Sequence, residues 1–131
     1  MNQIDLKDRT QAFALRIIKL VHHLPKSIIG KTIGSQLSRS GTSVGANYRS
    51  ACRGRSKAEF IAKLGIAIEE CDESAYWLEL VVKAELLSEK QVSQLLNECN
   101  ELTAILNASH KTASHALKLS RQSPKSADHS K

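Results

Sequence analysis

Apolar residues recur every third or fourth position over four successive stretches of this chain, and proline interrupts it only at Pro25 and Pro124. That spacing is the period of a helix with one buried stripe, not the alternation of a half-buried strand. In the first stretch, residues 6 to 24, the stripe is Leu6, Phe13, Ile17, Leu20, Val21 and Leu24, with Asp5 placed to cap it and Pro25 to stop it. The second, residues 28 to 52, carries Ile33, Leu37, Val44, Tyr48 and Ala51, and Gly54 stands where a left-handed closing residue is expected. Ser56-Lys57-Ala58-Glu59 reads as a capping box opening a third helix, expected to run from residue 57 to about residue 87. Its stripe is Phe60, Leu64, Ala67, Cys71, Ala75, Leu78 and Val82. A second box, Ser88-Glu89-Lys90-Gln91, opens a fourth helix striped by Val92, Leu95, Leu96, Cys99, Leu102, Ile105 and Leu106.

Three short connections make successive helices antiparallel neighbours. The expected architecture is an all-α, up-down-up-down four-helix bundle over residues 1–119, followed by a disordered basic tail, residues 120–131, in which the period is lost. Aromatic residues make up only 4% of the chain, too few for a sheet-on-sheet core, and 131 residues suffice for one helical core without disulfide or metal staples. Cys52, Cys71 and Cys99 are odd in number and too widely spaced for a metal knuckle or a secreted disulfide framework, so each reads as a small apolar side chain kept reduced. The opening MNQIDLKDR lacks the basic-then-apolar order of a signal peptide, and runs such as Leu80-Val81-Val82 are too short to span a bilayer. A soluble cytoplasmic protein with no membrane partner is expected.

Charge bears most on function. Residues 26–63 hold eight lysines and arginines against a single carboxylate, Glu59, whereas residues 64–101 hold nine carboxylates against two lysines. On a wheel of about 100° per residue, Lys31, Ser35, Arg39, Thr42, Arg49 and Arg53 share one arc of the second helix, opposite its apolar stripe. Gln36, Ser40, Ser43 and Asn47 form a polar edge between the two, of which Asn47 is expected to be buried and bonded. Gly41 and Gly45 lie on the other flank and leave a groove free of side chains.

A column of cations neutralises phosphates and releases their counterions, which points to a nucleic-acid backbone. No aromatic residue flanks the column, and Tyr48 lies on the core side, so recognition would rest on charge and shape rather than base stacking. The alternative is that the column is solvated and balances the acidic third helix, within the bundle or between subunits.

Other constellations fail on context. Gly30-Lys31-Thr32 matches the end of a phosphate-binding P-loop, but Pro25 occupies the first glycine position and the segment follows a helix instead of a strand. His22, His23, His110, His115 and His129 include no pair spaced to put two imidazoles on one helix face, and no Glu-x-x-His motif accompanies the carboxylates at Glu69, Glu70, Asp72, Glu73 and Glu79. Neither a metal, a cofactor, a small-molecule substrate nor a catalytic group is expected. Trp77 lies off the main stripe with Ile66, Leu80 and Val81, a second apolar strip suited to contact with another subunit.

Several segments in their joint order resemble a known family. Leu24-Pro25, Ser35-Gln36-Leu37-Ser38-Arg39-Ser40, Ser43-Val44-Gly45-Ala46-Asn47-Tyr48-Arg49, Arg53-Gly54-Arg55-Ser56-Lys57-Ala58-Glu59-Phe60 and Leu64-Gly65-Ile66-Ala67-Ile68-Glu69-Glu70-Cys71 are similar to the bacterial four-helix bundle proteins related to the ribosomal intervening-sequence protein. The chain departs from many members by carrying Asn47-Tyr48-Arg49-Ser50-Ala51 in place of an Asn-Ile-Ala-Glu-Gly segment. The resemblance implies an up-down-up-down bundle, a homo-oligomer in the form of a ring of five, and kinship with the accessory variability proteins of diversity-generating retroelements, which bind nucleic acid and a reverse transcriptase.

The combined expectation is a non-enzymatic homo-oligomer that binds structured RNA or DNA through Lys31, Arg39, Arg49, Arg53, Arg55 and Lys57. Its subunits would meet through Gly41, Gly45, Ile66, Trp77, Leu80 and Val81, the glycine groove of one receiving the apolar strip of the next. The alternative is an interaction or structural oligomer that binds no nucleic acid.

Overall fold

The computed structural model describes residues 1–122, nearly all of them in four helices: α1 (Gln3–His22), α2 (Ile28–Cys52), α3 (Lys57–Lys83) and α4 (Glu89–Gln122). Short polar side chains set each start. Asn2 accepts the Asp5 N–H at 2.9 Å, so α1 is capped by Asn2 and not by Asp5; Asp5 sits in the first turn, where a carboxylate suits the helix's positive end. Ser27 accepts the Gly30 N–H at 3.1 Å to open α2. Ser56 accepts the Glu59 N–H at 3.1 Å while Glu59 reaches back to the Arg55 N–H at 3.2 Å. Ser88 and Gln91 exchange both bonds of a capping box, at 3.0 and 3.2 Å.

Helix ends depart more from the sequence-based expectation. Gly54 does not take a positive φ; it is needed for close approach, since a Cβ there would lie 3.0 Å from the Ala51 carbonyl oxygen and 3.2 Å from the Phe60 nitrogen. α3 stops at Lys83 instead of near Leu87. Glu85 adopts φ 57°, and the Glu85 and Leu86 N–H groups donate to the Val82 and Val81 carbonyls, both at 3.0 Å, which is the Schellman closure with glutamate where glycine is usual. α4 continues through Ser120 and Arg121 to Gln122, into the expected tail; the remainder of that tail, residues 123–131, lies outside the described residues.

The helices form a ring of neighbours. α2 packs on α1 and α3, α4 packs on α3 and α1, and among the described residues neither diagonal pair brings its backbones as close, as an up-down-up-down bundle requires. Phe13 and Ile17 of α1, Leu37, Val44 and Tyr48 of α2, Leu64, Cys71 and Leu78 of α3, and Val92, Leu102 and Leu106 of α4 fill the interior. Cys71 and Cys99 face each other across α3 and α4, each thiol donating to the other's carbonyl at 3.3 and 3.1 Å, which satisfies two polar groups inside the core.

The α1–α4 seam is the sparsest of the four, and a polar clasp bridges it. Arg9 donates through Nε and Nη2 to the two carboxylate oxygens of Glu98, both at 2.7 Å, and through Nη2 to Glu101 at 2.9 Å.

Two expected interface glycines belong elsewhere. Gly41 is buried against α1 of the same chain, where a Cβ would meet both Ile17 Cγ atoms at 2.8 Å, and a Cβ on Gly45 would lie 3.2 Å from Thr10 Oγ1. The groove is real but α1 fills it, because the missing side chains let the two helices approach. Val81 is likewise inside: it is fully buried in the core, where Val82 had been expected, and Val82 is only half-buried.

Candidate nucleic-acid interface

The outer face of α2 is solvent-exposed along the expected column, at Lys31, Ser35, Arg39, Thr42, Arg49 and Arg53. Arg55, in the connection to α3, and Lys57, the first residue of α3, are exposed as well. They do not act as one surface. At about 1.5 Å per residue, Lys31 stands roughly 27 Å along the helix from Arg49. It borders a different cleft, shared with His22 and Lys26 at the end of the bundle where α1 turns into α2.

Arg39 is already engaged. Its Nη1 donates to both carboxylate oxygens of Glu70 at 3.0 and 3.1 Å, its Nη2 bonds Glu73, and its Nε lies 3.4 Å from Gln36 Oε1. Glu73 and then Glu70 hold the guanidinium proton more tightly than usual. Arg39 therefore ties α2 to the acidic face of α3 and is not presented as a free cation, the balancing role that the alternative reading of the column gave it. Beneath this bridge the buried Ser40 and Ser74 hydroxyls meet at 2.9 Å, so Ser40 is the interior polar residue of the edge. Asn47 is half-buried and donates to the Ser43 carbonyl of its own helix at 2.9 Å.

Trp77 completes the bridge, its indole N–H donating to Glu73 at 3.0 Å. That bond first, and Arg39 second, hold the Glu73 carboxyl below the ordinary glutamate range. A carboxyl depressed in the folded state stabilises above its unfolded value, and that contribution fades as pH falls through the depressed one. The emission of Trp77, the sole tryptophan, should stay level on acidification through the usual glutamate value of about 4.3 and change only below it, with the step absent in Glu73→Gln. A step at or above the usual value would contradict the bridge.

The remaining cations converge. Arg49 and Arg53 at the end of α2, then Arg55 and Lys57, crowd one corner, and none of the four pairs with a carboxylate among the described residues. Glu59, the single carboxylate of this basic half, is occupied in capping α3. α1 adds Lys7, which shares with Arg49 a cleft of about 380 Å³ whose border also includes Asp8, Gln11 and Thr42. Sequence reading missed Lys7 because only the α1–α2 pairing brings it there. No group of three or more His, Cys, Asp or Glu able to hold a metal occurs among the described residues. Nor, among those residues, is any helix long and apolar enough to cross a membrane.

Of the apolar strip expected to contact another subunit, Ile66 is 39% exposed, and Trp77 and Leu80 are half-buried against the core. Tyr76, outside the expected set, is 57% exposed and meets Trp77 edge-on with ring centroids 5.0 Å apart.

The 23S rRNA-intervening sequence protein family model matches residues 2–108. The chain belongs to that family. A solved structure of a protein of unknown function from the S23 ribosomal protein family of Bacteroides thetaiotaomicron VPI-5482 is similar at 38% identity. The match covers 81% of this chain and 98% of that one, with a TM-score of 0.76. No curated protein matches. The family assignment thus covers all of α1, α2 and α3 and most of α4, including both the basic corner and the Arg39 bridge.

Proposed function

We propose that this chain is a non-enzymatic, homo-oligomeric bundle that binds structured RNA or DNA through the corner formed by Arg49, Arg53, Arg55 and Lys57, with Lys7 beside it. The observation that carries this reading is the convergence of cations with no carboxylate pairing among the described residues, while Arg39 in the same column is neutralised. The family's name associates it with 23S rRNA, which favours RNA as the partner. By resemblance to retroelement accessory proteins, a reverse transcriptase is the protein partner to test, alongside the transcript of a ribosomal RNA insertion.

Binding of an RNA hairpin should weaken by about 0.7 to 0.9 log units per log unit of salt for each phosphate contacted. Gel-shift titrations at two salt concentrations should show this for the wild type, and Arg49→Glu/Arg53→Glu/Arg55→Glu should lose at least about a hundredfold in affinity, with a shallower salt slope. Binding unchanged by the triple reversal would sink the proposal.

The Arg39 bridge to Glu70 and Glu73 favours a second reading for the middle of α2, in which its charge serves structure and the oligomer binds no nucleic acid. Assembly is proposed under both readings, as the ring of five that the family resemblance implies, with Ile66, Tyr76 and Trp77 offering the apolar contact. Light scattering on the eluting protein should give an oligomer for the wild type and a smaller species for Trp77→Glu. A wild-type monomer at micromolar concentration would refute assembly, and an indifferent variant would refute that surface.

A further inference from the structure

The α1–α4 seam changes character along its length. Nearer the start of α1, Arg9 finds Glu98 and Glu101 across the gap. Two turns further along α1, at the other end of the bundle, the facing residues of α4 are Gln94, Gln91 and Lys90, and the seam opens into a cleft of about 340 Å³. Arg16, Lys19 and Lys90 stand on its rim, and none of them pairs with a carboxylate among the described residues. His23 joins them; its Nδ1 is 2.8 Å from the Lys19 carbonyl and so donates to it, leaving Nε2 to accept from a hydroxyl of a ligand.

The floor is apolar, made by the buried side chains of Leu20 and Leu95 with half-buried Leu87. Between floor and rim lie two amides. Gln91 accepts from Ser88 through Oε1, which leaves its Nε2 to donate elsewhere, and Gln94 is exposed.

We propose that this cleft binds a nucleoside phosphate, either free or as the terminal residue of an RNA strand. An apolar floor accepts the flat face of a base, an amide reads the polar edge of that base, a rim of three cations neutralises a phosphate, and the imidazole accepts from a ribose hydroxyl. Ligand sites run from about 300 to 1,000 Å³, and this cleft falls at the small end of that range. Fully basic walls without the apolar floor would suit any anion; the two together require a ligand with both parts. The site is separate from the basic corner, which lies at the opposite end of the bundle, and does not depend on that corner binding RNA.

The test is an amide-resolved NMR titration of the full-length protein with inorganic phosphate, adenosine, adenosine monophosphate and a trinucleotide RNA bearing a 5′-phosphate. The monophosphate should shift the amides of Arg16, Lys19 and Leu87 through Gln94 and bind at least about tenfold more tightly than phosphate or adenosine alone. Lys19→Glu/Lys90→Glu should abolish those shifts while the remaining spectrum keeps its dispersion; if that pair fails to fold, Lys19→Gln/Lys90→Gln provides the same comparison. A trinucleotide tighter than the monophosphate assigns the cleft to a strand end, and a weaker one to a free nucleotide. Monophosphate no tighter than inorganic phosphate, or shifts that survive both charge-removing variants, would overturn the proposal. Hairpin binding by these variants in the gel-shift assay separates this outcome from failure of the corner.

Discussion

Gly41→Val is expected to cost about 3 kcal/mol or more of folding stability, because the new side chain enters a space that α1 already occupies. A Cβ at this position would sit 2.8 Å from both Cγ atoms of Ile17, and Ile17 is itself fully buried. The colliding atoms are branched close to the α1 backbone, so a rotamer change does not relieve them and the two helices must separate. Separation withdraws Phe13 and Ile17 from the interior, which adds exposed apolar surface to the strain. Gly65→Ala in α3 is the matched control. Its Cβ would meet only His110 Nε2, at 3.8 Å, so the gain in helix propensity of up to about 1 kcal/mol should appear undiminished. Urea denaturation of the two variants should move the midpoints in opposite directions. A Gly41→Val midpoint near that of the wild type would mean that α1 does not approach α2 so closely.

Arg9→Leu should destabilise the bundle by about 2 kcal/mol, the range for hydrogen bonds to a charged group, trimmed for partial exposure. Arg9 and Glu98 keep only 24% and 17% of their side-chain surface exposed and share two bonds at 2.7 Å. The Glu98 bond is also the first cause holding the Arg9 proton more tightly than usual. Removing the arginine leaves a half-buried carboxylate unpaired across the sparsest seam. Glu101 is 65% exposed and contributes little, so Glu98→Gln should cost clearly more than Glu101→Gln. Pairing Arg9→Leu with Glu98→Leu should recover part of the loss, because neither charge is then stranded. Equal effects at the two glutamates, read from thermal midpoints, would show that the clasp is only a solvated ion pair.

The helical period was legible because burial follows it closely on α1, α2 and α4. Capping boxes at Ser56 and Ser88 were legible for the same local reason: a cap needs only neighbours in sequence. Val81 escaped because its row on α3 is Ala67, Ser74 and Val81, and Ser74 breaks the apolar pattern while being fully buried. Ser74 is tolerable there because its hydroxyl meets the Glu70 carbonyl of its own helix and Ser40 on α2, the second a partner that no periodicity shows. Glu85 concealed the end of α3, since glutamate gives no signal of a left-handed backbone.

The candidate site divided along the same line. The signs of the charges were readable, and so was the exposure of the α2 column. Which cation would be free was not, because Arg39 depends on where Glu70 and Glu73 project from α3, and Lys7 on how α1 crosses α2. Gly41 and Gly45 announced a close helix approach without saying whether the other helix belonged to the same chain.

α2 is a poor helix in its own right: Gly30, Gly34, Gly41 and Gly45 share it with seven serines and threonines and with β-branched Ile33 and Val44. Such residues carry a propensity deficit of several tenths to about 1 kcal/mol each relative to alanine, so the isolated segment should not hold the conformation that aligns its cations. The column is therefore conditional on cooperativity: α1 and α3 lend α2 its order, and the charges come into register only as the whole bundle closes. An excised α2 peptide would carry the same charge and lack the same geometry.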